Sequence, residues 1–323
     1  MRTLTFNGQR FSVLDDENVL DTLLRNNIAI AHGCRSGACQ ACMLMAKADQ
    51  IPDDCQHGLS KVRIQQGYFL SCCCEPEQDM DIQLPDLKAE KHLATVTEKR
   101  LLSARTLSLR LQCRLRWRAG QYITLWLNDS ARCYSIASVA SIDDFIELHI
   151  QVYPDGAVSP SLANNINVGD ALAIQGPFGE CVYDNKQSQQ NLLLIASGTG
   201  LAPLLGVARD ALSQNHQQPI HLLFRSKQAS DFYAVDALRK LKDQYPQFSF
   251  SLNSDEPAPD TKDSSTDTWQ LHLRTHFAEL RGSRVYICGS DEFVRQARKQ
   301  CFMQGATARD IICEAFINFS PER

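Results

Sequence analysis

Hydrophobic and polar residues alternate along this chain with more than one period, and the changes of period divide it. The opening run Met1-Arg2-Thr3-Leu4-Thr5-Phe6 alternates as a strand does. From Leu93 onward short period-two runs recur, at Thr106 to Leu111, Tyr122 to Leu127 and Phe145 to Val152. Such runs, separated by turn residues, predict an antiparallel barrel or sandwich. Beyond about Lys186 the strands become short apolar runs, at Asn191 to Ser197, Pro219 to Phe224, Phe248 to Leu252, Arg284 to Cys288 and Ile311 to Cys313. Helical patterns lie between them, including Ala234 to Lys242 and Asp291 to Gln304. Alternating β and α units imply a doubly wound sheet. A polar stretch from Gln83 to Lys91 marks a boundary ahead of the barrel, and Asp255 to Thr268, rich in Asp, Ser, Pro and Thr, reads as a mobile loop without core residues.

Composition narrows the class. A chain of 323 residues, 44% of them hydrophobic, has room for two or three domains with real cores. No uninterrupted apolar stretch approaches about 18 residues, so no membrane span is expected. The N-terminus lacks a signal peptide's apolar run, which makes the cytoplasm the expected location. The net charge of −4 is unevenly placed: residues 1–91 hold 13 acidic and 9 basic side chains, and the remainder is balanced. That excess is either a solvated surface or an acidic face that steers docking to a basic electron acceptor. No nucleic-acid partner is expected, and oligomeric state is not legible. Of thirteen cysteines, Cys113, Cys181, Cys301 and Cys313 stand singly and read as thiols of a reducing compartment.

Cys34, Cys39, Cys42 and Cys72 are different, because they follow the spacing Cys-x4-Cys-x2-Cys-x29-Cys. Three thiolates this close converge on iron only if the backbone wraps tightly, and Gly33 and Gly37 supply turns. One close triple with one distant cysteine is the plant-type [2Fe-2S] arrangement; a zinc site would usually pair two short hooks. Cys72, Cys73 and Cys74 are consecutive, so spacing alone leaves the fourth ligand open, although the interval and Pro76 favour Cys72. The segment from Gly33 to Cys42, with Tyr68-Phe69-Leu70-Ser71-Cys72, resembles the ferredoxin family over roughly residues 1–85. Gln40 stands where many family members have glycine.

Arg132-Cys133-Tyr134-Ser135 resembles the Arg-x-Tyr-Ser signature of the ferredoxin-NADP reductase family. The resemblance implies that Arg132 meets a flavin phosphate, that Tyr134 packs on the flavin and that Ser135 lies near its reactive nitrogen. Ala119-Gly120-Gln121-Tyr122 precedes it, and Gly156-Ala157-Val158-Ser159 follows, similar to that family's pyrophosphate turn at a helix start. Gly156, Val158 and Ser159 thus become candidate contacts to FAD, which the motifs favour over FMN. Gly176-Pro177-Phe178-Gly179 resembles the barrel's closing turn.

In the last third, Gly198-Thr199-Gly200-Leu201-Ala202-Pro203 follows the first strand. Glycines there permit close approach to a pyrophosphate, and Pro203 suits a helix's first turn. The full Gly-x-Gly-x-x-Gly pattern is absent. The segment instead resembles the nicotinamide domain of the same family, as do Cys288-Gly289-Ser290-Asp291 and Cys313-Glu314-Ala315-Phe316. The resemblance places Glu314 near Ser135 and Cys288, making these three candidates for tuning hydride transfer, and lets Phe316 shield the flavin. The chain runs seven residues past Phe316, which puts that closure in question. Arg225-Ser226-Lys227, with two cations and no adjacent acid, leans toward NADPH over NADH.

The expected fold is α+β multidomain: a β-grasp ferredoxin domain over 1–88, an antiparallel Greek-key β-barrel flavin domain over 92–185, and a doubly wound α/β nicotinamide domain over 188–323. The resemblance implies an enzyme that passes electrons from NAD(P)H through FAD to the cluster and on to a redox protein. The ferredoxin-first order is similar to the reductases of benzoate dioxygenase, phenol hydroxylase, methane monooxygenase and deoxysugar biosynthesis. The alternatives are a stand-alone diaphorase, quinone or flavin reductase and, in another class, a redox-sensing module.

Overall fold

The structure is a computed structural model that describes residues 2–32, 35–37, 39–85, 91–128, 130–255, 264–265 and 268–316. Strands β1 (Arg2–Phe6) and β2 (Gln9–Val13) form a hairpin through Asn7 and Gly8, both at positive φ, a two-residue turn whose twist suits the strands. Helix α1 (Val19–Arg25) starts at Asn18, whose side chain accepts from the Asp21 N–H, and buries Val19, Leu20 and Leu23. Strand β3 (Met43–Met45), helix α2 (Lys61–Gln65) and strand β4 (Tyr68–Leu70) follow, with β3 and β4 antiparallel. Strand β5 (Met80–Ile82) returns parallel to β1, giving a β-grasp arrangement in which Leu4, Leu20, Leu23, Phe69 and Met80 share one core.

The second unit is an antiparallel barrel of β6 (His92–Leu101), β7 (Thr106–Gln112), β8 (Tyr122–Leu127), β9 (Ser130–Ser135), β10 (Ile146–Gln151) and β11 (Ala171–Phe178), with helix α3 (Ser159–Asn164) before the last strand. The spatial order is β10-β7-β6-β11-β8-β9, and a bridge between Ile136 and Leu148 closes it. Because β8, β9 and β10 are neighbours in succession while β11 returns beside β8, the connection is a Greek key. The segment from Gly176 to Gly179 is less a separate turn than the irregular end of β11, whose register shifts between Gln175 and Phe178.

The third unit is a parallel sheet of order β15-β14-β13-β12-β16-β17. Its elements are β12 (Leu192–Ser197), α4 (Leu201–Ser213), β13 (Ile220–Ser226), α5 (Val235–Gln244), β14 (Phe248–Ser254), β15 (Ser264–Ser265), α6 (Trp269–His276), β16 (Arg284–Ser290), α7 (Asp291–Met303) and β17 (Ile311–Phe316). Leu192, Leu194 and Ala196 enter one hydrophobic cluster while Leu193 and Ile195 enter another, so β12 is buried on both faces and reads as an unbroken apolar run. Strand order reverses at β12, which puts the ligand crevice at the C-terminal ends of β12 and β16. Helix α4 also joins this unit to the barrel: Arg209 donates to both carboxylate oxygens of Asp143, at 2.9 and 3.0 Å. Most of the stretch from Asp255 to Thr268 lies outside the described residues, but Thr268 caps α6 by accepting from the Leu271 N–H. No helix among the described residues is long and apolar enough to cross a membrane.

Candidate electron-transfer site

The cysteine loop sits between α1 and β3. Cys39 and Cys42 are each 1% exposed and Cys72 is 8% exposed; Cys34, with Gly33 and Ala38, lies outside the described residues. Gly37 takes a left-handed φ of 80°, as a tight turn requires. Gln40 is left-handed too, at 53°, at a cost of about 1–2 kcal/mol for a residue with a Cβ. Its buried amide offsets that strain by donating to the Gly58 carbonyl at 3.0 Å and accepting from Arg63, which explains how glutamine occupies a position where the family favours glycine.

The donors around the sulfurs suit metal-bound thiolates. The neighbouring Cys72 thiol and burial hold Cys42 protonated, well above the ordinary thiol range, while the Cys72 N–H and the Ser71 hydroxyl pull the other way. Hydrogen bonding with Cys42 lowers Cys72, whereas the Cys73 thiol and burial raise it, to about 12 in all, and the Gly37 N–H donates to it. N–H and O–H groups directed at sulfur favour the deprotonated form that iron requires, and a bound cation supplies the charge that completes deprotonation. Among the described residues no three metal-ligating side chains converge on one point. Cys42 and Cys72 meet as a pair, which is one iron's share in a four-cysteine, two-iron centre. The donor chemistry therefore fits a [2Fe-2S] cluster.

This loop is anchored directly to the barrel. Thr124 of β8 donates its hydroxyl hydrogen to the Cys39 carbonyl at 2.8 Å, in a buried contact. Cys39 and Ala41 pack with Trp126 and Ala131, and His32 forms a bridge to Ser130. In the strand register Thr124 faces Cys133, whose neighbours are Arg132 and Tyr134. The cysteine loop thus bears on the same strand pair that carries the candidate flavin residues.

On β9, Arg132 donates to the Ala131 carbonyl at 2.8 Å, and Tyr134 packs against the barrel core, where burial raises its pKa. Val158 precedes α3, and no side chain caps that helix, leaving first-turn N–H groups suited to an anion. The Ser159 hydroxyl accepts from the Tyr153 N–H at 3.1 Å. A Cβ on Gly156 would come within 2.9 Å of that hydroxyl, so this glycine serves its own turn. The uncapped helix start and the arginine fit the phosphates of FAD.

The glycines at the end of β12 divide their work. Gly198 has φ of 57° and open space around it, while a Cβ on Gly200 would fall 2.2 Å from the Cys288 carbonyl oxygen. Gly200 therefore lets the first loop lie directly against the backbone of β16 at Cys288 and Gly289. Thr199 stands between Gly198 and Gly200 at the start of α4. We expect Gly200→Ala to force this loop off β16, costing about 1–3 kcal/mol by overpacking, and to weaken nucleotide binding while the barrel keeps its flavin. Thermal unfolding and a nucleotide titration check both parts.

Ser135, Cys288 and Glu314, drawn from three strands, do come together. The Ser135 hydroxyl donates to Glu314 Oε1, and Cys288 faces Glu314 in the pairing of β16 with β17. Burial pushes the Glu314 carboxyl up to about 7, against the lowering effect of Ser135. Burial and the Cys181 thiol, 3.6 Å away, push Cys288 well above the ordinary thiol range. Gly289 follows at φ of 155°. Phe316 ends β17 opposite Ser290, and residues 317–323 lie outside the described residues. Arg225 ends its reach on Asp255, and Lys227 is exposed. The crevice thus gathers the Ser135–Glu314 pair, the Cys288 thiol, the Arg225–Asp255 ion pair and the exposed Lys227, a set that suits a nicotinamide nucleotide.

Three family models match in succession: a 2Fe-2S iron-sulfur cluster binding domain over residues 4–77, an oxidoreductase FAD-binding domain over 93–183 and an oxidoreductase NAD-binding domain over 194–299. The chain is a ferredoxin-type reductase. The reductase is 26% identical to the phenol hydroxylase P5 protein of Acinetobacter pittii, across 96% of its own length and 92% of that protein. It is 27% identical to the toluate 1,2-dioxygenase electron transfer component of Pseudomonas putida, across 93% and 92%. The CDP-6-deoxy-L-threo-D-glycero-4-hexulose-3-dehydrase reductase of Yersinia pestis is 24% identical, across 93% of each. The fold matches the ferredoxin reductase in carbazole 1,9a-dioxygenase with a TM-score of 0.67 at 22% identity, covering 98% of both chains. A ferredoxin NADP+ reductase from Neisseria gonorrhoeae matches at 0.61 and 19% identity, covering 71% of the reductase and 99% of that chain.

Among the residues of the reductase that carry no motif are Thr124 and Cys181. Thr124 is a strand threonine without a motif, and its partner Cys39 lies 85 residues away. Cys181 read as an isolated thiol, and only the docking of the barrel on the third unit brings it to Cys288.

Proposed function

We propose that this reductase oxidises NAD(P)H at the β12–β16 crevice and delivers single electrons, by way of FAD and a [2Fe-2S] cluster, to a partner redox protein in the cytoplasm, namely the oxygenase component of a multicomponent system. Bound FAD would supply the conversion between a two-electron hydride donor and a one-electron cluster. The observation that carries the reading is the buried Thr124–Cys39 hydrogen bond, which fixes the cysteine loop on the strand pair bearing Arg132, Tyr134 and Ser135. Cys34, Cys39, Cys42 and Cys72 are assigned to iron. Arg132, Tyr134 and the Gly156–Ser159 turn are assigned to FAD, and Gly198, Thr199, Gly200, Arg225, Lys227, Cys288 and Gly289 to the nucleotide, with Phe316 at the flavin face. Glu314 can hold or release a proton near neutrality beside Ser135, and the neutral Cys288 thiol adds no charge to the crevice. Domain limits of 1–88, 92–185 and 188–323 accompany this assignment. The partner class follows the relatives named for phenol hydroxylase and toluate dioxygenase.

Anaerobic titration of the visible spectrum with NADH tests it. Flavin absorbance and cluster absorbance should both bleach. Flavin bleaching without cluster bleaching would break the circuit, and full-speed turnover of soluble quinones without any partner would favour the stand-alone diaphorase.

A further inference from the structure

Two neighbouring strand ends carry a charge pair where a nucleotide's adenosine ribose would lie. Arg225 stands in register with Ser197, the last residue of β12 before Gly198. Asp255 follows Ser254, which ends β14 in register with Ser226. Arg225 Nη2 donates to Asp255 Oδ2 at 2.7 Å; the arginine side chain is 17% exposed and the aspartate 52%. The guanidinium centre lies 5.9 Å from the centroid of the Phe293 ring at the start of α7, and among the described residues its buried Nε has no partner. The hydroxyl residue between the two cations, Ser226, is buried.

Adenosine ribose in a doubly wound nucleotide domain sits near the end of the second strand, here β13. There a carboxylate accepts from the 2′-hydroxyl of NADH, whereas an arginine accommodates the 2′-phosphate of NADPH. This arginine is already neutralised by a carboxylate. The more exposed partner is the carboxylate, which offers an acceptor to a hydroxyl and repels a phosphate. We propose that the Arg225–Asp255 pair makes the crevice selective for NADH over NADPH. This rests on the nucleotide reading above, and it reverses the lean toward NADPH drawn from Arg225 and Lys227 alone, because the acid absent from the adjacent sequence arrives from the next strand.

Calorimetry on the full-length holoprotein, with NAD+ and NADP+ and then with ADP and 2′,5′-ADP as probes, measures the effect directly. Wild type should bind NAD+ at least about tenfold more tightly than NADP+, the scale of an unfavourable like-charge contact. Asp255→Asn should bring that ratio to about one or below by freeing Arg225, and Arg225→Met in the same background should remove the gain for NADP+ and 2′,5′-ADP. Asp255 is exposed, so its substitution leaves the core intact, and matching thermal melts verify that. Wild-type binding that favours NADP+, or an unchanged ratio in Asp255→Asn, overturns the selectivity while leaving the reductase reading standing. If neither NAD+ nor NADP+ binds, and neither NADH nor NADPH bleaches the flavin, both readings fall.

Discussion

A Cys42→Ser variant should retain its flavin, bleach it with NADH as wild type does, and fail to reduce one-electron protein acceptors. Cys42 is buried and its sulfur meets that of Cys72. A serine oxygen is a hard donor where iron-sulfur chemistry selects soft sulfur. Loss of a ligand should exceed the 10–100-fold penalty typical of outer-shell partners, so cytochrome c reduction should fall by more than about a hundredfold. Visible absorbance and electron paramagnetic resonance should show the cluster gone. Cys113→Ser, at a half-buried thiol outside the ligand set, should leave the cluster signals unchanged. Persistent cytochrome c reduction in Cys42→Ser would remove the cluster from the outlet.

Glu314→Gln should slow NADH-driven flavin bleaching by about a hundredfold, the lower end for loss of a positioned proton-holding group. Its sharper signature is in pH. Burial raises the Glu314 pKa from 4.5 to about 7, so between those values the folded protein keeps a proton that the unfolded chain has released. The associated stability is complete below pH 4.5 and is lost as pH rises through 7. Glutamine cannot ionise, so the variant should overtake wild type on the alkaline side by about 3 kcal/mol at pH 8. The rate profile should also lose its inflection near 7. Ser135→Ala should move that inflection upward, because the Ser135 hydroxyl stabilises the carboxylate. Denaturant melts and stopped-flow traces across pH 5–9 decide the matter, and an unshifted inflection in both variants would take Glu314 out of the chemistry.

Much of the architecture was written in local pattern. The apolar runs at Leu192, Ile220 and Arg284 are strands because both faces of the sheet are covered there, and that burial leaves nearly continuous apolar runs. Strands β9 and β11 were harder to read. In β9 the alternation is occupied by Arg132, Cys133 and Tyr134, and β11 is interrupted at Gly176 and Pro177, where the register shifts. Helix α6 was hidden next to a polar stretch, although Thr268 marks its start. The cysteines were legible from their spacing, and Ser135, Cys288 and Glu314 from a family resemblance. Their partners were not: Thr124 with Cys39, Cys181 with Cys288 and Asp255 with Arg225 each depend on which strands or domains end up adjacent. A single sequence holds no record of that adjacency, and Asp255 shows the effect most plainly, since it changes the charge seen by a ligand without changing a motif.

The anchoring of the cysteine loop on β8 also has a kinetic meaning. Two proteins that exchange electrons must first meet, so their transfer slows on dilution. Here the donor and acceptor segments share one buried hydrogen bond and a packed patch around Trp126 and Ala131, so their encounter is built into the fold. Internal reduction of the cluster should be first order and unchanged by dilution, while the onward step to the partner remains second order and sensitive to salt.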